Sequence, residues 1–177
     1  MQNKYSSKTT IMNKSVLRET TPLSARDCFM VFSRKKKEFT YPTHVHNEFE
    51  LNFIENGAGA KRIVGDSIEE IEDLELTLVA NPDMEHGWIN GNCKSSCIKE
   101  ITIQFHGNLF NEDLLQKNQF RSIKEMFDKA AYGLTFPRDA IMEIICIGIS
   151  KQWRLFCSLI FHIAIRFVIS DICKGIV

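Results

Sequence analysis

Between residues 26 and 136 the apolar positions come in short runs, β-branched or aromatic, broken every few residues by Gly, Asn, Asp or Pro. That punctuation predicts a compact all-β unit of about eight strands. The clearest strands are expected at 28–32, 49–55, 60–64, 67–71, 76–79 and 99–105, with weaker signals at 39–41 and 86–89. Gly57 and Gly59 flank one tight turn, and Gly65-Asp66 marks a second hairpin, so antiparallel meanders follow from the short links. Past Phe105 the period changes. Leu109, Leu114, Leu115, Phe120, Ile123, Met126 and Phe127 recur at spacings of three and four, as an amphipathic helix requires. Pro137 is placed to open a further helix through Ile141, Ile144 and Ile145. A last helix is expected over 152–170. Its apolar stretch is interrupted by His162 and Arg166 and falls short of the roughly 20 residues that a bilayer span needs, so a buried or dimer-forming helix is predicted and not a membrane segment.

One strand carries ionisable groups on a single face. Residues 44–57 read HVHNEFELNFIENG. In an extended chain His44, His46, Glu48, Glu50 and Asn52 share one side, while Val45, Phe49, Leu51 and Phe53 share the other. Such a polar face looks at water, or it lines a wet cavity in which imidazoles and carboxylates pair with each other, with a metal or with a bound molecule. His86 favours the cavity, because the turn-forming Pro82-Asp83-Met84 can return a strand beside the first two histidines. Two imidazoles at i and i+2, a carboxylate four residues later and a third imidazole from a neighbouring strand suit a divalent ion such as Zn, Fe, Mn or Ni. The alternative is that His44, His46, Glu50 and His86 hydrogen-bond one another and an organic ligand. Phe53 and Trp88 are candidates for the apolar area of such a ligand site, with Trp88 and Trp153 equally suited to the core.

Composition narrows the class. A chain of 177 residues holds one ordinary domain with a short helical appendage, and 44% hydrophobic with 25% charged residues is the globular average. The 22 basic and 22 acidic residues cancel, which removes any overall attraction to phosphate backbones; Lys35, Lys36 and Lys37 are the only dense basic run and read as a solvated loop. Six scattered cysteines without a CxxC pair, and a polar start lacking an apolar signal region, fit reduced thiols in a cytoplasm. Residues 1–24 read as a flexible arm, 25–108 as the β unit and 109–177 as a helical dimerisation or linker region with no helix-turn-helix.

The run HxH, three residues, Glu, six residues, Gly, met by His44, His46, Glu50 and Gly57, resembles the first cupin motif. Pro82 to His86 with Asn90 is similar to the second, in a shortened form that lacks the usual glycine. That form, with FELNFI at 49–54, GAKRIVGD at 59–66, EITIQFH at 100–106 and NQFRSI at 118–123, resembles the N-terminal sensor domain of the arabinose-regulator (AraC) family of transcription factors over residues 17–136. The resemblance implies a cupin barrel of the double-stranded β-helix or jelly-roll type, followed by C-terminal α-helices. It also implies a small-molecule effector, a sugar among the candidates, and a homodimer or a heterodimer with full-length relatives. The family's DNA-binding part does not fit before Val177, so a truncated product without direct DNA binding is expected. No catalytic residue is assigned. The rival class is a metal-dependent cupin enzyme, a dioxygenase, isomerase or decarboxylase, with Glu48 or Glu50 as a base.

Overall fold

The computed structural model describes residues 16–148. Ten strands form two five-stranded sheets: β1 (Leu17–Arg18), β3 (His44–Val45), β8 (His86–Ile89), β5 (Lys61–Val64) and β6 (Ser67–Glu70) in one, and β10 (Leu134–Thr135), β7 (Leu74–Val79), β4 (Phe49–Glu55), β9 (Ile98–Phe105) and β2 (Phe29–Lys36) in the other, in those orders. Every pairing is antiparallel except that of β1 with β3. The expected mostly-β architecture with trailing helices is therefore present, as two sheets and not as a closed barrel. The chain passes from one sheet to the other between β3 and β4, so the polar run that reads as one continuous strand is broken at Asn47-Glu48.

Alternation along β4, β7 and β9 gives the second sheet two different faces. Its outer face carries Leu51, Phe53, Leu76, Leu78, Ile103 and Phe105, which form the main core with Ile123, Met126, Phe127 and Ala130 of α2 (Arg121–Ala130) and Ile141 of α3 (Arg138–Gly148). The β unit and the first helices thus share one core, and a boundary near 108 marks a change of secondary structure, not of packing. The inner face carries Glu50, Asn52, Thr77, Thr102 and Gln104, all buried, toward the first sheet. A smaller apolar plug of Phe39, Ile54, Ala60, Ile71, Trp88 and Ile98 closes one end of the space between the sheets.

Local chemistry explains where elements depart from the expected spans. The expected helix after Phe105 is divided into α1 (Glu112–Leu115), a 3₁₀ turn (Asn118–Phe120) and α2, because Asn111 caps the first piece through Leu114 N–H and Lys117 turns extended. Residues 39–41 form no strand; Phe39 is buried, and its N–H donates to Asn90 Oδ1 at 2.7 Å. Lys35 and Lys36 lie on β2, paired with Lys99 and Ile98 of β9, and not in a loop. The Gly65-Asp66 hairpin joins β5 to β6 with two residues, the first at φ 55°, which only glycine adopts without strain. Residues 16–24, read from sequence as part of a flexible arm, are anchored: β1 pairs with β3, and Thr21 Oγ1 donates to Glu48 Oε2 at 2.8 Å. Two paired residues are too few to leave a periodic signal. The expected helix at 152–170 lies outside the described residues, and among those described no helix is long and apolar enough to cross a membrane.

Candidate functional site

His44 and His86 are direct cross-strand partners in the first sheet, and Glu50 faces them from β4 of the second. His46 sits at the crossover. The ring centroids of His44 and His86 are 4.6 Å apart, those of His46 and His86 4.8 Å, and one ligating atom from each of His44, His46, Glu50 and His86 lies within 4.8 Å of all the others. All four side chains are buried.

Backbone carbonyls fix the orientation of each ring. His44 Nδ1 is 3.0 Å from Pro42 O, His46 Nδ1 3.0 Å from Glu48 O and His86 Nδ1 2.9 Å from Met84 O. A carbonyl can only accept, so each Nδ1 carries a proton and donates it, and each Nε2 turns inward, with a lone pair to offer whenever its ring is neutral. His46 Nε2 then meets Glu50 Oε2 at 3.1 Å, and two acceptors at that distance require a cation between them, a proton or a metal ion. His86 Nε2 is 3.7 Å from Glu50 Oε1, beyond hydrogen-bond reach, and is buried with no hydrogen-bond partner among the described residues.

The electrostatics follow from burial and pairing. Burial alone would raise the Glu50 carboxyl, but the hydrogen bond with His46 and the attraction of His86 outweigh it and hold Glu50 well below the usual carboxylate range. For His86 burial favours the neutral ring, yet the facing Glu50 carboxylate holds its pKa above the ordinary imidazole value. Burial pushes His44 the other way, and the neighbouring His86 charge adds to that.

Two polar groups that the sequence did not single out, Gln104 and Glu19, complete the surroundings. Gln104, the β9 partner of Glu50, donates its Nε2 to Glu50 Oε2 and to Glu19 Oε2, both at 3.0 Å. Glu19, just past β1, also accepts from Tyr41 Oη at 2.9 Å and stands 3.6 Å from His44 Nε2. Glu48 takes its bond from Thr21, and its Oε2 stands 3.8 Å from His46 Nδ1. Periodicity could have placed Gln104 on the Glu50 side of the sheet, since 100, 102 and 104 are the polar positions of β9; nothing in the sequence marks Glu19. Beside the cluster a cavity of about 510 Å³ opens between the sheets, walled by His44, Glu50, Asn52, Trp88, Thr102 and Gln104 among others. Trp88 lines it and also packs in the apolar plug, with its Nε1 donating to Glu75 Oε1 at 3.2 Å. Phe53 does not: one residue along the strand from Asn52, it points to the opposite face and packs in the core beneath the helices.

No protein-family model matches this chain. Nor does any curated protein. Among solved structures it is similar to ToxT from Vibrio cholerae with an unsaturated fatty acid bound, at a TM-score of 0.47 and 13% identity over 79% of this chain and 52% of that one. It is also similar to ToxT from the same organism bound to (E)-4-(8-methylnaphthalen-1-yl)but-3-enoic acid, at a TM-score of 0.43 and 14% identity over 77% and 54%. The chain spans about half the length of these structures.

Proposed function

We propose that this chain is the effector-sensing part of an AraC-type transcription regulator, holding a small molecule between its two sheets with His44, His46, Glu50 and His86 at one end of the cavity. The observation that carries the reading is a partly open cavity between the sheets with the buried polar side chains of Glu50, Asn52, Thr102 and Gln104 on its inner wall, of a volume within the roughly 300 to 1,000 Å³ usual for small-molecule sites. The likeness of the flanking sequence to such sensors supports the same class. The effector is a small molecule, with a sugar among the candidates, whose contacts bridge side chains of both sheets, so that binding biases their spacing.

The same four residues suit a divalent ion, with Zn, Fe, Mn or Ni as candidates. Three inward Nε2 atoms, one of them an orphan, and a carboxylate held ionised are the donor set such an ion takes. Ligands at about 2.1 Å from a tetrahedral ion lie about 3.4 Å apart, so donor atoms that now stand up to 4.8 Å apart would draw in by as much as about 1.4 Å. When bound, the ion would offer a Lewis-acidic point for an oxygen of the effector. The helical segment supplies dimerisation in this reading, with itself or with a full-length relative, and light scattering of the purified chain tests it.

The deciding experiment incubates the chain with a bacterial small-metabolite fraction and follows its unfolding temperature and the bound compound by mass spectrometry. A sensor gives saturable stabilisation and returns the compound unchanged. Stabilisation absent from every fraction overturns the proposal, and a compound that is consumed favours the metal-dependent cupin enzyme, whose donor set would be the same.

A further inference from the structure

Resting on the reading that the cavity is an effector site, we infer that its ligand is a hydroxylated ammonium, an amino sugar, seated with its positive charge against Glu19 and a hydroxyl toward Asn52. Glu19 differs from the other carboxylates of the cavity wall in what it is paired with. Glu50 faces His46 at 3.1 Å and His86 at 3.7 Å, and Glu100 takes Lys36 at 2.8 Å and Arg34 at 3.5 Å. Glu19 receives two neutral donors, Tyr41 Oη at 2.9 Å and Gln104 Nε2 at 3.0 Å, and pairs with no lysine or arginine among the described residues. Its side chain lines the cavity and is 25% exposed, within reach of an entering group. A carboxylate met only by neutral donors is the complement of an ammonium, which brings one positive charge and three N–H donors. An ion held by His44, His46, Glu50 and His86 would leave Glu19 outside its donor set.

The sheet beside Glu19 also lacks hydrogens. Asn52 and Gln104 are 3% and 2% exposed, both line the cavity, and Asn52 Oδ1 and Gln104 Oε1 are buried without a hydrogen-bond partner among the described residues. Gln104 cannot be turned round. Its Nε2 stands between the Glu50 and Glu19 carboxylates, which only accept, so Oε1 must remain the bare acceptor. Asn52 shares one bond with Thr102 Oγ1 at 3.0 Å, and since a hydroxyl can give or take, the rest of the Asn52 amide offers either an acceptor or a donor. A ligand hydroxyl answers both. The far end draws no anion, because Arg34 and Lys36 are both engaged by Glu100 and the exposed Glu38 stands there too. Trp88 gives an apolar wall for the carbon face of the ligand, its Nε1 already bonded to Glu75.

Titration calorimetry of the full chain, in chelator and at a slightly acidic pH where amines are protonated, tests this with D-glucosamine, D-galactosamine, their neutral parents D-glucose and D-galactose, and cyclohexylamine. One of the two amino sugars should bind at least about tenfold more tightly than its parent sugar and than cyclohexylamine, and its affinity should fall with added salt. Glu19→Gln removes the charge and keeps an acceptor for Tyr41 and Gln104, so it should bring the amino sugar down to the affinity of its parent and leave the parent's own binding unchanged. The pair Asn52→Leu with Thr102→Val, which removes both partners of one buried bond, should weaken amino sugar and parent alike. A neutral sugar binding as tightly as its amine, cyclohexylamine matching the amino sugars, or a preference for the amine that survives Glu19→Gln overturns the inference and leaves the sensor reading standing. Should Glu19→Gln fail to fold, the unaltered chain decides on the five probes alone. Silence from all of them also overturns the inference, and the sensor reading is then decided separately by the metabolite fraction.

Discussion

His86 carries a sharp conflict, an inward Nε2 with no hydrogen-bond partner among the described residues, 3.7 Å from a carboxylate oxygen. If an ion resolves that conflict, His86→Ala should lower the divalent metal retained after dialysis by tenfold or more, as read by elemental analysis; equal retention would remove His86 from the donor set. Without metal the pair itself gives stability a pH window. Glu50 is depressed from its ordinary 4.5, so its share is present above that value and lost as pH falls below it. His86 is raised from 6.5, so its share is complete below 6.5 and lost as pH rises through its elevated value. The unfolding temperature in chelator should therefore peak between these limits, and a flat profile from pH 5 to 9 would contradict the pairing. His44, His46, Glu50 and His86 were legible in the sequence because HxH and a strand period of two put ionisable groups on one face. Glu19 was not, because its position depends on a two-residue parallel pairing that leaves no pattern. Phe53 was misplaced by ranking residue type above alternation, which sets it opposite Asn52.

Elements were legible to the extent that their patterns are local. Strands β4 and β8 match their expected spans, and β9 differs by one residue at its start, since alternation and flanking turn residues define them. The crossover at Asn47-Glu48 was not visible, because a chain that changes sheets keeps its alternation while its neighbours change. Gly57 closes the first motif for a packing reason: a Cβ there would lie 2.6 Å from Ile54 Cγ2 and 2.9 Å from Ile71 Cδ1 in the apolar plug. Gly57→Ala should cost about 1 to 3 kcal/mol, measured by chemical denaturation, and a neutral result would show that Ile54 and Ile71 give way. On the other side of the cavity, Glu19→Ala removes bonds from Tyr41 and Gln104 that tie the β1 segment down, alongside the Glu19 N–H bond to Val45 O at 2.9 Å. Faster hydrogen exchange confined to residues 17–21 is the expected result, and exchange spread evenly over both sheets would show that the segment is not a separate unit.

For the whole molecule, stability and ligand occupancy are one equilibrium. A ligand that binds only the folded chain adds about 2.7 kcal/mol at a hundred times its dissociation constant, so a genuine effector must raise the unfolding temperature with concentration. Removing a resident metal with chelator should lower it in the same way, and zinc or another of the candidate ions should restore it; an unfolding temperature indifferent to both would leave the four-residue cluster as a hydrogen-bonded network.

The passage of the chain from one sheet to the other at Asn47-Glu48 has a mechanical corollary. His44 and His86 ride on one layer and Glu50 and Gln104 on the other, so whatever occupies the gap sets the layers' separation as a shim sets the jaws of a vice. A pair of spin labels, one on Ile68 and one on Val31, both exposed and on different sheets, would read that separation as a distance distribution that narrows when the gap is filled.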